Sequence, residues 1–347
     1  MLIGNGIKST EMQLKPTVVP SVIQENYQEP LAQTLLRNLT ALTKEEKHLM
    51  GAFYSNISSK SSEYSRTNPN SSTSRPSSLL TLFTTLKWNK DKGVIFNNTF
   101  INWASLKPVV NPVLFTNDPM AAIYAKAFNW EVLNVTINNS YGLPEVKNLY
   151  LDAIKAYHSD YYCFANADIL FDGGLIKTIV NIHFNEIAPL YEHVFITAKR
   201  YNVVNVTRND VVKRQHIKTL IHDKGELFTP SAEDFFITDR SYPWDSIPEV
   251  IVGIPAYDNW LVKNAREKRH LVIDATKTIQ TLHQSEDQNH YRSHRTKASS
   301  YNVNLLKEWS HTNINYNKGF VDCIERFTDI DNDVLVVRER MLRSYCN

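Results

Sequence analysis

Glycine is scarce in this sequence: ten in 347 residues, with no G-x-G-x-x-G run anywhere. A dinucleotide-binding turn needs those glycines so that the backbone can approach a pyrophosphate, which argues against a dehydrogenase of that type. Cysteine is scarce too. Cys163, Cys323 and Cys346 are odd in number and far apart, without the spacing of a zinc site or of a dense disulfide framework, and they read as free thiols. No stretch reaches the roughly 20 consecutive apolar residues of a membrane span, and residues 1–20 lack the apolar run of a signal peptide, so the chain as it stands reads as soluble. Nor does one sign of charge dominate. Lys plus Arg number 38 and Asp plus Glu 36, and a formal charge of +2 gives no field that would gather a polyanion over the whole surface. A hydrophobic share of 42% with 21% charged residues is that of a globular chain able to bury a sizeable core.

Asn, Ser and Thr are plentiful. Seven Asn-X-Ser/Thr sequons stand at Asn38, Asn56, Asn70, Asn97, Asn134, Asn138 and Asn205. They suit a secretory protein whose anchor has been removed, and a chain of this composition also generates several by chance. The compartment therefore stays open between the cytoplasm and the secretory lumen. Residues 55–78 are dominated by Ser, with Asn, Thr and Pro, and cannot bury enough apolar surface to offset the entropy of ordering them. They read as a disordered linker. Residues 1–54 form an N-terminal extension in which Leu31, Leu35, Leu36, Leu39 and Leu42 follow a helical period.

From residue 79 to 347 the pattern predicts one domain. Short apolar runs at 79–86, 113–115, 131–135, 161–165 and 193–198 alternate with amphipathic stretches at 96–106, 120–128, 143–157 and 175–187. That alternation points to the α/β class: a single Rossmann-like domain around a mixed, mostly parallel central sheet. In such open sheets ligands bind outside the carboxyl ends of the strands, so chemistry is sought there.

The most informative segment is 161–174 (YYCFANADILFDGG), an apolar strand running into Asn166, Ala167 and Asp168. Oxygen-bearing side chains at i and i+2 on a strand end face the same way and can hold Mg²⁺ or Mn²⁺ against phosphate oxygens. The same spacing also fits an Asx turn that merely closes the strand. Asp258 follows a Gly-Ile-Pro-Ala break at the start of a predicted helix. It reads either as a first-turn acid favoured by the helix dipole or as a reactive carboxylate. Glu233 and Asp234 form a second acidic pair at the entry to a strand over 235–238. His283 ends an alternating run that begins at Thr278 and is either a ligand or a loop histidine. Lys263, Arg266, Lys268 and Arg269, with the segment 291–297, form a basic run that fits phosphate contacts or a solvated helix face.

The segment around Asn166 and Asp168 resembles the DxD region of GT-A fold glycosyltransferases, with Asn166 in place of the first carboxylate. Segments 231–240 (SAEDFFITDR), 253–262 (GIPAYDNWLV) and 272–284 (VIDATKTIQTLHQ) carry the resemblance onward, to a little-characterised group of GT-A-like proteins, over most of residues 79–306. The resemblance implies a Mn²⁺- or Mg²⁺-dependent transferase that moves a sugar from a nucleoside diphosphate sugar, a UDP-sugar above all, to a hydroxyl acceptor. It implies Asp168, His283 and Asn166 at the metal, with the ion held mainly by Asp168. Asp258 is the implied base, with Asp234 and Glu233 as the alternatives. Thr84, Thr85, Lys87 and Asp118 at strand ends would cradle the nucleotide, and Lys199 and Arg200 would meet the diphosphate or the acceptor. Two other functions fit the same motifs: a nucleotide-sugar-binding scaffold without turnover, suggested by Asn166, and a glucosyltransferase acting on modified DNA bases, for which the basic run would supply phosphate contacts.

Overall fold

In the computed structural model the described residues are 78–285 and 297–347. The expected extension at 1–54 and the linker at 55–78 lie outside them, except Ser78, which opens the first strand; of segment 291–297 only Lys297 is described. The strands are β1 (Ser78–Thr85), β2 (Val110–Phe115), β3 (Glu131–Leu133), β4 (Ser159–Ala165), β5 (Ile169–Phe171), β6 (Val194–Thr197), β7 (Arg200–Val204), β8 (Glu226–Leu227), β9 (Phe235–Asp239), β10 (Leu271–Asp274), β11 (Thr281–Ser285), β12 (Arg326–Asp331) and β13 (Val334–Glu339). The helices are α1 (Gly93–Ala104), α2 (Pro119–Ala127), α3 (Val146–Ala156), α4 (Gly174–Phe184), α5 (Arg208–Val211), α6 (Arg214–Lys224), α7 (Tyr257–Glu267) and α8 (Tyr301–Ser310).

The fold is mixed α/β around a large, mostly parallel sheet, as expected. Nine strands run in the order β13-β12-β10-β6-β9-β4-β1-β2-β3. β9 runs antiparallel between β4 and β6, and β13 closes one edge antiparallel to β12; the other neighbours are parallel. β1 is buried along nearly its whole length, which explains its continuous apolar run, because a central parallel strand has no solvent face. α3 lays Val146, Leu149, Tyr150 and Ala153 on the sheet, as its period requires. Tyr150 lies flat on Trp244, ring centroids 3.6 Å apart, and its hydroxyl donates to the carbonyl of Phe236 at 2.5 Å, so one side chain ties α3 to β9.

A second sheet was not foreseen: β5-β11-β7-β8. β11 is antiparallel to β5 and parallel to β7, pairings between segments far apart in the sequence that no local period announces. Several helix boundaries also differ from the sequence expectation, α3 beginning at Val146 rather than at 143. α1 begins at Gly93, earlier than 96, because Asn89 caps a 3₁₀ turn at Lys90–Lys92 that leads straight into it. α4 stops at Phe184, short of 187. Asn185 leaves the helix with extended backbone, and Pro189 follows inside a separate 3₁₀ turn at Ala188–Leu190.

The free-thiol reading is overturned for two of the three cysteines. Cys323 and Cys346 form a disulfide, both buried, and only Cys163 is a free, buried thiol. Their separation of 23 residues hid the pair from a reading based on spacing. The C-terminal segment joined this way lies against α7: the Arg266 guanidinium donates to the carbonyls of Lys318 and Cys346. Gly319 packs so tightly there that a Cβ on it would fall 1.7 Å from the carbonyl oxygen of Asn259, in the first turn of α7. Gly319→Ala is therefore expected to lower stability by about 1–3 kcal/mol, the usual cost of overpacking against backbone. Urea unfolding measures it, and an unchanged midpoint would show that the two segments do not approach this closely.

Candidate active site

The carboxyl end of β4 delivers the chain to Asn166 and Asp168, and the neighbouring antiparallel strand β9 starts at the same end of the sheet. Asn166 and Asp234 are joined twice: the Asn166 backbone NH donates to the Asp234 carbonyl at 2.9 Å, and its side-chain NH₂ donates to Asp234 Oδ1 at 2.7 Å. β7 then brings in Arg200, whose Nη1 donates to both carboxylate oxygens of Asp234, at 2.7 and 2.8 Å. Both side chains are largely buried, and the guanidinium also lies over the Phe228 ring at 4.5 Å. Asp234 is thus fully engaged. Arg200 is spent on it rather than left open for a diphosphate, and Lys199 likewise pairs with Asp322 at 2.9 Å.

Asp168 faces the other way. Its Oδ2 lies 3.3 Å from Nε2 of His283, whose Nδ1 is 3.0 Å from the Ser285 hydroxyl. Its Oδ1 is buried without a hydrogen-bond partner. Burial would push this carboxyl up, but His283, by charge and hydrogen bond, followed by the charges of Arg200 and Lys92, holds it down at about 2. The pair is set by backbone pairing. His283 sits opposite Ile169 in the β5–β11 ladder, and the Gln284 NH donates to the Asp168 carbonyl at 3.1 Å. Gln284 completes the joint: its Nε2 donates to Thr99 Oγ1 and the Ile95 carbonyl, and its Oε1 accepts from Asn98, so α1 is fixed to the same point.

A carboxylate oxygen with no hydrogen-bond partner among the described residues, beside an imidazole, is a donor set that suits Mn²⁺ or Mg²⁺. Among the described residues no group of three or more His, Cys, Asp or Glu side chains could hold an ion. Asn166, the third expected ligand, donates its side-chain nitrogen to Asp234.

The third element is the start of α7. Ala256 takes a left-handed backbone (φ 87°) to turn the chain into the helix, and Asp258 follows in its first turn. Its Oδ1 accepts only the adjacent Asn259 NH, at 2.9 Å. Burial pushes the Asp258 carboxyl up, that NH pulls it back, and the Asp234 charge raises it again, so it ends at about 7. Glu233 is more deeply buried; burial, then the charges of Asp258 and Asp234, push it well above the usual range. Asn259 donates to Glu233 Oε2 at 2.7 Å, which anchors the helix start to the β9 side of the site. The buried Tyr257 hydroxyl is raised by burial and then by the charges of Asp258, Asp234, Glu233 and Asp168.

The remaining predicted residues lie on β1 and at the end of β2. Thr84 is fully buried, its hydroxyl without a partner; Thr85 is half-buried and Lys87 exposed. Asp118 caps α2, accepting from Met120 and Ala121 and, through Oδ2, from the Trp88 NH at 3.0 Å. Its carboxylate holds the loop after β1 in place. Sequence reasoning assigned no role to Asn259, Gln284 and Tyr257, although all three stand inside the quoted motifs. The His-Gln pair closing segment 272–284 was the available signal for Gln284.

No protein-family profile matches the chain, and no curated protein matches its sequence. Among solved structures it is similar to a mycobacterial protein (10% identity over 77% of this chain and 85% of that one, TM-score 0.39). It is similar also to glucosyl-3-phosphoglycerate synthase from Mycobacterium tuberculosis, in a crystal with Mn²⁺, UDP and glucosyl-3-phosphoglycerate (10% over 77% of this chain and 88% of that one, TM-score 0.40). A shorter likeness links it to TarS of S. aureus (14% over 36% of each chain, TM-score 0.26). What this chain does is read from its own residues.

Proposed function

We propose that the chain is a metal-dependent glycosyltransferase, moving a sugar from a nucleoside diphosphate sugar to a hydroxyl acceptor. The observation that carries this reading is the Asp168–His283 pair at the carboxyl end of β4, with a carboxylate oxygen that has no hydrogen-bond partner among the described residues; the charge of Arg200 acts both on Asp168 and on Asp258. A bound ion would neutralise the charge that grows on the leaving diphosphate. Asp168 and His283 hold the position for it. Arg200 fixes Asp234 through both carboxylate oxygens, and Asp234 in turn orients Asn166. Asp258 takes the acceptor proton.

The choice among the three acids follows from their surroundings. Asp234 has both oxygens committed to Arg200, and one of them also to Asn166. Glu233 is held by Asn259 and pushed well above the usual carboxylate range by burial and by the charges of Asp258 and Asp234. Asp258 alone combines one engaged oxygen with a pKa near neutrality, where a general base is most effective. In the basic run, Arg266 is committed to two backbone carbonyls and Lys263 pairs with Glu267. Arg266 and Lys263 are thus engaged within the fold.

Two outcomes test the reading. Asp258→Asn is expected to lower turnover by about 10²–10⁴-fold while UDP and Mn²⁺ binding persist, because the amide keeps the shape but cannot accept a proton. In the wild type, turnover rises with pH around 7 as Asp258 loses its proton. The same carboxyl is a burden on the fold. With a folded pKa of about 7 against an ordinary 3.8, the unfolded chain releases this proton first as pH rises, so stability falls across that window and stays lowered above it. Asp258→Asn should therefore raise Tm at pH 8 and leave it unchanged at pH 4. An active Asp258→Asn enzyme would remove the base assignment.

Asp168→Ala and His283→Ala should each weaken UDP binding in Mn²⁺ and leave the weak binding seen in chelator unchanged, as read by titration calorimetry. Equal metal-dependent affinity in wild type and Asp168→Ala would defeat the metal assignment.

A further inference from the structure

Two features have no part in transfer: the disulfide and the sequons. The disulfide joins two fully buried sulfurs and fastens the chain end against α7, which is the placement of a structural bond and not of an exposed, reactive thiol. Such bonds form and persist in oxidising compartments and are rare where glutathione keeps thiols reduced. That is the setting in which an Asn-X-Ser/Thr sequon becomes a substrate.

Of the seven sequons, those at Asn38, Asn56 and Asn70 lie outside the described residues. The fold divides the other four. Asn97 lies within α1, and its Thr99 is buried, with the hydroxyl donating to the carbonyl of Ala167 at 2.8 Å, one residue from Asp168. A glycan there would break the joint between α1 and the metal pair. Asn134 and Asn138 stand just after β3 with their own side chains and those of Thr136 and Ser140 exposed. Asn205 is exposed in a left-handed turn directly after β7 (φ 56°), a conformation Asn tolerates, and Thr207 beside it is exposed as well. All three sit on loops, where a bulky hydrophilic group leaves the core untouched.

We propose that Asn134, Asn138 and Asn205 are N-glycosylation sites and that Asn97 is not, the chain being matured in an oxidising secretory compartment. In the modification, the Asn side-chain nitrogen bonds to C1 of an oligosaccharide carried on a polyprenyl diphosphate. The C1–oxygen bond breaks, the diphosphate leaves with its electron pair, and the amide proton passes to the transferring enzyme. No redox co-reactant is needed for that step.

The test is to secrete the full chain from a eukaryotic host behind a cleavable leader and to release glycans from the soluble product enzymatically in ¹⁸O water. Peptide mass spectrometry should find ¹⁸O-labelled aspartate at 134, 138 and 205 and unmodified Asn97. Asn134→Gln, Asn138→Gln and Asn205→Asp should each remove one step of electrophoretic mobility. Peptides holding Cys323 and Cys346 should stay joined until reduced. Absence of label at one position overturns the assignment there. Absence at all three, label at Asn97 in the folded product, or alkylation of Cys323 and Cys346 without reductant overturns the proposal.

Discussion

The candidate site depends on one backbone pairing. β11 returns to the molecule antiparallel to β5, and the register of that ladder decides that His283, and no neighbour of it, faces Asp168. A shift by one residue would turn the imidazole to the opposite face, because side chains alternate along a strand. Gln284 guards the register. Its backbone NH and its side-chain amide both donate to the Asp168 carbonyl, while the same amide group reaches α1 through Asn98, Thr99 and Ile95, 116 residues of chain closing on a single peptide unit. The smaller sheet thus serves chiefly to bring β5, β11 and the start of β7 to the carboxyl end of β4.

The second constraint is electrostatic. Asp168, Asp234, Glu233 and Asp258 crowd one desolvated region, and like charges there cannot all be sustained without compensation. The structure resolves this by treating each acid differently. Arg200 pairs with Asp234, His283 holds the Asp168 carboxyl down, burial and neighbouring charge push Glu233 up while Asn259 donates to it, and Asp258 accepts a backbone NH and has the intermediate pKa of about 7. Chemically similar side chains so acquire separate roles through their partners, and the strain of the arrangement falls on the group proposed to react. Storing instability at the reacting position is the usual trade between stability and function.

What could be read from the sequence was what is local. The buried run of β1, the sheet-facing stripe of α3 and the passage of β4 into Asn166 and Asp168 each follow from a period or from a turn residue, and the structure shows them with boundaries moved by one to three residues. The disulfide escaped because 23 residues separate its halves, and the second sheet because its strands meet only in the folded chain. Side-chain identity alone also misjudged availability. Lys199 and Arg200 look ready for a diphosphate in the sequence, yet acids from distant segments, Asp322 and Asp234, engage both, and Asp118, placed at a strand end where a nucleotide would lie, spends its carboxylate on three backbone NH groups. An ionisable residue's partners are set by tertiary structure, which is why the sequence could not rank the roles of residues inside these motifs.

The central claim is that the Asp168–His283 pair is half of a metal site completed by a nucleoside diphosphate. Crystals soaked with Mn²⁺ and UDP, with diffraction recorded at the manganese absorption edge, test it most directly. The account predicts one anomalous peak within coordinating distance of an Asp168 carboxylate oxygen and His283 Nε2, shared with diphosphate oxygens and absent in Asp168→Ala. UDP bound with no peak at the pair, or a peak held by other residues, would contradict it.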